Sequence, residues 1–266
     1  MVMKKFVLLF WLLLLMNLPL TAQYARSEVG VFGGVSYYVG DLNPSKHFLL
    51  SKPAFGIIYR YNISPRFAIK VNGLYGTIEG SDAISKTNLK RNLSFKSYVT
   101  DISAQLELNF LKYITGHEKY KWSPYIFAGV SMFNTNPRAQ IDGKWYALQA
   151  LGTEGQGTTL PDVNKRYSLT NFAIPFGLGI KYSPVSFLCI GAEWGLRKTF
   201  TDYMDDVSTV YADPVVLAAE NGEMAALLAD RTIYEEGDTF NNTGLHRGSS
   251  KNKDWYTFAG VFVQFR

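Results

Sequence analysis

Along most of this chain apolar and polar residues alternate with a period of two. At 67–75, Phe67, Ile69, Val71 and Tyr75 fall on one side and Ala68, Lys70 and Asn72 on the other, because successive side chains of a strand point to opposite faces. The pattern predicts eight strands, at 29–38, 55–63, 67–75, 95–111, 125–133, 169–182, 187–200 and 255–265. In several the apolar face runs the whole length. Phe55, Ile57, Tyr59, Tyr61 and Ile63 oppose Ala54, Gly56, Ile58, Arg60 and Asn62; Ile102, Ala104, Leu106, Leu108 and Phe110 oppose Ser103, Gln105, Glu107 and Asn109. Phe172, Ile174, Phe176, Leu178 and Ile180 likewise oppose Ala173, Pro175, Gly177, Gly179 and Lys181. Apolar outside and small or polar inside is the arrangement of a closed antiparallel transmembrane β-barrel. A soluble lipocalin-type barrel would carry the reverse.

The connections sort into two kinds that alternate along the chain. Ser64-Pro65-Arg66 and Ser183-Pro184-Val185 suit tight turns. Strands one and two, three and four, five and six, and seven and eight are separated by longer polar stretches, the last at 201–254. Short periplasmic turns and long extracellular loops give this asymmetry and put both strand termini in the periplasm. Only the connection 112–121 is longer than a periplasmic turn should be.

The N-terminus reads as an export signal. Lys4 and Lys5 precede the unbroken apolar run 6–16, and Leu20-Thr21-Ala22 ends in a small residue. The expected organisation is a signal peptide at 1–22 and one outer-membrane barrel domain at 23–266. No later segment reaches the ~18 consecutive apolar residues of a spanning helix. Removing Lys4 and Lys5 lowers the formal charge from +5 to about +3, too weak a basic excess to imply nucleic-acid binding. The lone cysteine, Cys189, has no partner for an internal disulfide and is read as an apolar filler. Aromatic residues make up 15% of the chain, and Tyr37, Tyr38, Tyr59, Tyr61, Tyr75, Tyr98, Trp122, Tyr182 and Trp255 gather near strand ends, as interfacial girdles do.

The inward positions collect charge: Arg60, Lys70, Glu107, Lys181, Glu193 and Arg197. Eight strands enclose an interior that side chains just fill, and buried charges must be paired. These six are therefore expected to form an ionic plug and not a conduction path. On the last loop, Asp202, Tyr203, Asp205 and Asp206 form an acidic motif. Its spacing fits no calcium loop, and turn formation by hydrogen bonding to nearby amides explains it better than metal binding. Residues 214–229 are read as one or two short helices interrupted at Asn221-Gly222; capping the barrel and docking a partner are both open to them. His47, His117 and His246 are the only histidines, no nucleophile elbow is present, and no cofactor or catalytic residue is expected. Gly33-Gly34 and Gly177-Leu178-Gly179 are attributed to close backbone approach.

The stretch Phe32-Gly33-Gly34-Val35-Ser36-Tyr37-Tyr38-Val39-Gly40-Asp41-Leu42-Asn43 resembles the opening of the DUF6089 family of Bacteroidota outer-membrane proteins. Further similarity lies in Pro53-Ala54-Phe55-Gly56, Pro124-Tyr125-Ile126-Phe127-Ala128-Gly129, Ile174-Pro175-Phe176-Gly177-Leu178-Gly179 and the run from Arg197 through Asp202-Tyr203-Met204-Asp205-Asp206 to Ser208. The family includes the PorG-type component of the type IX secretion system. The resemblance thus implies a non-enzymatic barrel that links the outer membrane to a periplasmic ring complex and an outer-membrane translocon. Arg66, Lys112, Lys119 and Lys121 are the candidate periplasmic partner contacts. The alternative is a surface barrel that binds a ligand or host molecule through its long loops.

Overall fold

The computed structural model describes residues 26–161, 165–237 and 241–266, so the expected signal at 1–22 lies outside the described residues. Eight long strands form the wall: β1 (Ser27–Val39), β2 (Lys52–Asn62), β3 (Phe67–Ser81), β4 (Ser94–Asn109), β5 (Trp122–Thr135), β8 (Thr170–Val185), β9 (Leu188–Thr199) and β10 (Trp255–Phe265). Each pairs antiparallel with the next, and β1 pairs with β10 from Val29↔Phe265 to Val39↔Trp255. The sheet is therefore a closed eight-stranded meander with no free edge. Closure matters because a backbone amide facing lipid has no water to bond to.

The alternation places residues as expected. Val31, Ile57, Val130, Leu178 and Val261 stand outward and more than half exposed, whereas Phe32, Ile58, Phe127 and Phe262 on the same strands are buried inside. An outer surface this apolar is stable only in contact with lipid. Tyr59, Tyr98, Trp122 and Tyr182 take girdle positions on that surface. Tyr37 and Tyr38 do not. Tyr38 points into the barrel mouth, and Tyr37 is covered by Phe48, with ring centroids 4.8 Å apart, and by His47.

Small residues let the wall close over bulky lumen side chains. A Cβ at Gly177 would lie 2.2 Å from the Trp194 carbonyl oxygen and 2.8 Å from Phe127, and one at Gly179 would meet the Tyr125 ring at 2.5 Å. Gly34 is similarly tight against Ala259, while Gly33 faces open space and is not explained this way.

Two features at the long-loop end extend the expected set of elements. Residues 138–147 form a hairpin, β6 (Arg138–Ile141) with β7 (Lys144–Ala147), joined to the wall through Lys96↔Arg138. Its turn places Asp142 and Gly143 at φ of 48° and 78°, the left-handed pair that an Asp-Gly hairpin turn requires. That dipeptide between short alternating runs is the local signal that reveals it. Short helices α1 (Asp82–Ser85), α2 (Leu148–Leu151), α3 (Pro214–Asn221) and α4 (Glu223–Ala229) complete the loops. Asp213 caps α3 by accepting from the amides of Val215 and Val216 at 2.8 and 3.3 Å, with proline following it. Leu217, Ala225 and Ala229 are buried against Leu151. Leu228 belongs to the main core and Met224 packs against it, so the helix pair lies down on the loops at this end of the barrel.

Candidate functional site: a closed lumen between two seals

The lower lumen is a network drawn from all eight wall strands. Glu107 on β4 receives the Arg60 guanidinium at 3.0 Å, the Lys181 ammonium at 2.8 Å and Lys70 at 3.5 Å. Lys70 also meets Glu193 at 2.5 Å, and Tyr125 donates its hydroxyl to Glu193 at 2.9 Å. Arg60 reaches Glu28 at 3.1 Å and donates to the Gln264 side-chain carbonyl. These side chains are almost wholly excluded from solvent. Three cations and three carboxylates balance, and the cations also lie on ring faces: Lys70 4.2 Å from Phe127, Arg60 5.0 Å from Phe262, Lys181 4.9 Å from Tyr125. Cys189 is buried beside Arg60.

Five of the six lumen charges expected from the sequence meet here. Arg197 is the correction: it lies on the Phe258 ring at 4.8 Å and donates to the Gly195 carbonyl at 2.5 Å, with no carboxylate at ion-pair distance among the described residues. Glu28 is the carboxylate that sequence reasoning missed. It is the second residue of β1, where a single acidic residue carries no spacing signal, and only the register Glu28↔Arg60 reveals it.

The connection 110–121 seals the short-turn end. It crosses the mouth and turns Tyr113 and Thr115 inward: Tyr113 lies under Lys181 at 4.8 Å, and the Thr115 hydroxyl donates to Glu28. The Tyr113 amide donates to the Pro65 carbonyl at 3.0 Å and the Gly116 amide to the Ser183 hydroxyl at 2.9 Å, while Arg266 donates to the Thr115 carbonyl at 3.3 Å. Its excess length over a turn is thus a stopper. Lys112, Lys119 and Lys121 point out into solvent, the first two near the Tyr120 ring and the third near Tyr182. Arg66 is held back, donating to the carbonyls of Asn109 and Phe110.

The acidic motif seals the other end, by long-range contacts more than by local turns. Tyr38 donates its hydroxyl to Asp205 at 2.5 Å and lies 3.0 Å from Asp254. Asp206, with φ of 69°, accepts from Tyr167 at 2.6 Å and from Thr153, and faces Arg247 at 3.5 Å. Arg247 binds Glu154 at 3.1 Å, and Glu154 accepts from the amides of Ser208 and Thr209. Tyr203 stacks on Tyr167, with centroids 4.6 Å apart and planes at 6°. Arg91 forks onto Asp82 at 2.7 and 2.8 Å and donates to the carbonyls of Asp41 and Arg247. Only the Asp205 contact to the Val207 amide, 2.9 Å, is of the expected local kind. No group of three or more His, Cys, Asp or Glu among the described residues is placed to hold a metal. The histidines are apart: His47 with Tyr37, His117 on the stopper, His246 paired with Val210.

Burial makes the carboxyls of this upper seal, the latch of the barrel, weaker acids than usual. Asp202 is pushed up to about 7 and Asp206 to about 6 despite Arg247, and Asp205 and Asp254 also stand raised, with Asp205 adding to the effect on Asp254. One tyrosine hydroxyl has one proton to give, so Asp205 and Asp254 share Tyr38 best with a further proton between them. A folded-state value above the ordinary one favours the protonated form. The cap's stability is therefore full below the ordinary carboxylate range and declines as pH rises through about 6 and 7. Hydrogen exchange at Met204–Ser208 should accelerate between about pH 5 and about pH 8 beyond its intrinsic pH dependence. Asp206→Asn should remove the part of that excess near pH 6; an unchanged excess would remove Asp206 from the groups that carry it.

A family model described as "Domain of unknown function (DUF6089)" matches residues 4–221. No curated protein matches the sequence. Among solved structures, the chain is similar to Ail, the attachment invasion locus protein of Yersinia pestis, solved with the heparin analogue sucrose octasulfate, at 7% identity over 91% of this chain and 99% of that one, TM-score 0.41. It is similar to Neisserial surface protein A at 10% identity over 91% and 97%, TM-score 0.43. It is also similar to the outer membrane protein OprG of Pseudomonas aeruginosa at 9% identity over 91% and 98%, TM-score 0.41.

Proposed function

The chain belongs to the DUF6089 family, and from that membership together with its doubly sealed lumen we propose that it is a non-enzymatic outer-membrane anchor, a structural or assembly component of type IX protein secretion. The single observation that carries this reading is the stopper. A barrel that conducts needs an open periplasmic mouth, whereas one that couples the membrane to a periplasmic assembly needs a rigid, projecting surface there. Residues 110–121 supply that surface: their inward side chains fix them to the barrel, and Lys112, Lys119 and Lys121 face the periplasm with Glu118 as the nearest exposed carboxylate in sequence. A cationic patch of this kind steers and registers an acidic partner surface. Arg66 acts by holding the start of the connection.

Deletion of the gene is expected to leave many unrelated type IX cargo proteins in the periplasm together. The triple change Lys112→Glu, Lys119→Glu and Lys121→Glu is expected to reduce co-purification of the periplasmic ring while the barrel still folds, because all three side chains are exposed. Normal cargo export in the deletion strain would overturn the secretion role. Undiminished ring recovery with the triple variant would move the contact elsewhere on the barrel.

A further inference from the structure

A second basic site lies at the opposite end, on the outside of the barrel. Arg197 points inward, so its neighbour Lys198 points outward, directly opposite Trp255 in the β9–β10 register. The Lys198 ammonium is 5.7 Å from the Trp255 ring. Lys251 and Lys253 from the last loop converge on the same place, and with Val39, Asp41 and Pro44 they line a cleft of about 540 Å³. None of the three lysines is at ion-pair distance from a carboxylate among the described residues. The Asp41 carboxylate in the wall is already engaged by the Ser249 amide at 2.8 Å, and Lys253 donates to the Ser250 carbonyl.

The depth of the cleft decides what it meets. Trp255 packs edge-on to Phe176, 5.9 Å between centroids, and below them the outward positions other than Thr257 are apolar down to Val261 and Ile190. The cleft therefore sits where the lipid-facing band ends and the loops begin, with an interfacial indole at its base. It opens sideways toward the headgroups. A comparable basic and aromatic cluster on the other side of the rim, Lys96 with Trp145 at 5.7 Å, is already neutralised by Glu79 at 3.2 Å.

We propose that the cleft formed by Lys198, Lys251, Lys253 and Trp255 binds the phosphate group of an anionic outer-leaflet lipid. Lysine supplies point charges that suit a phosphate's three terminal oxygens without a fixed fork geometry, and the indole and Val39 cover the adjoining apolar part of the lipid. The inference depends on the long-loop end facing outward and is independent of the secretion role.

The test is a titration of the full chain, purified in a neutral detergent, with bisphosphorylated lipid A and with the same lipid dephosphorylated, read by native mass spectrometry. The wild-type protein should retain the phosphorylated lipid and lose the dephosphorylated one. The variant Lys198→Gln, Lys251→Gln, Lys253→Gln should bind it roughly a hundredfold more weakly, about fivefold for each surface lysine. The equal change in charge at the stopper, Lys112→Gln, Lys119→Gln, Lys121→Gln, should have no effect. Heat-modifiable mobility checks that both variants fold. Equal retention by the rim variant, or equal retention of the dephosphorylated lipid, would overturn the proposal. Displacement of the lipid by inorganic phosphate at matching concentration would also overturn it, by assigning the site to a soluble anion.

Discussion

Glu107→Gln should lower the stability of the folded barrel by about 3–5 kcal/mol, the cost typical of removing one member of a buried ion pair. Glu107 is the carboxylate that three cations share, Arg60 at 3.0 Å, Lys181 at 2.8 Å and Lys70 at 3.5 Å, and all of these side chains are buried. Glutamine keeps the shape and loses the charge, which leaves three cations facing Glu28 and Glu193. The expense arises from stranded charge in a medium that solvates it poorly, so removing a cation as well should recover part of the loss. Lys181→Met in the Glu107→Gln background is the choice, because Lys181 has Glu107 as its ion-pair partner. Unfolding in urea from lipid vesicles, followed by the heat-modifiable band, measures both. A cost below about 1 kcal/mol would mean that the network is solvated and is not the barrel's internal staple.

Val261→Arg should be nearly as damaging, at roughly 2–4 kcal/mol for a cation set against the middle of the hydrocarbon band. Val261 lies on the closing strand, 61% exposed on the lipid side, and is paired with Gly33 of β1 and Ala192 of β9. Val261→Leu keeps an apolar surface there and should be close to neutral. The next residue, Phe262, is buried inside and supports Arg60, so its truncation acts by cavity formation in the lumen instead. Slower insertion of Val261→Arg into vesicles, with Val261→Leu unaffected, is the expected pattern. Equal behaviour of the two would show that this face does not contact lipid.

Local alternation determined a great deal about this protein by itself. A strand's side chains switch faces at every residue, so the facing of Ile57 against Ile58 or Leu106 against Glu107 is written in each segment without knowledge of its neighbours. The eight wall strands, the order of short and long connections and the anomalous length of 112–121 were legible in this way, and the helix break from the Asn221-Gly222 pair. The partners of inward charges were not, because they depend on which strands become neighbours and in what register. Arg60 meets Glu28 only through the β1–β2 pairing, and Lys70 meets Glu193 across 123 positions only because the sheet closes. Closure leaves Arg197 outside that network, on Phe258. The same holds for the latch. Tyr38 read as a girdle residue because its sequence neighbourhood is that of a strand end, yet the two ends of the last loop place the buried carboxyls of Asp205 and Asp254 over its hydroxyl. Periodicity is a property of adjacent residues and survives in the sequence, whereas a charge's partner is set by the closed ring and by loops that return from far along the chain.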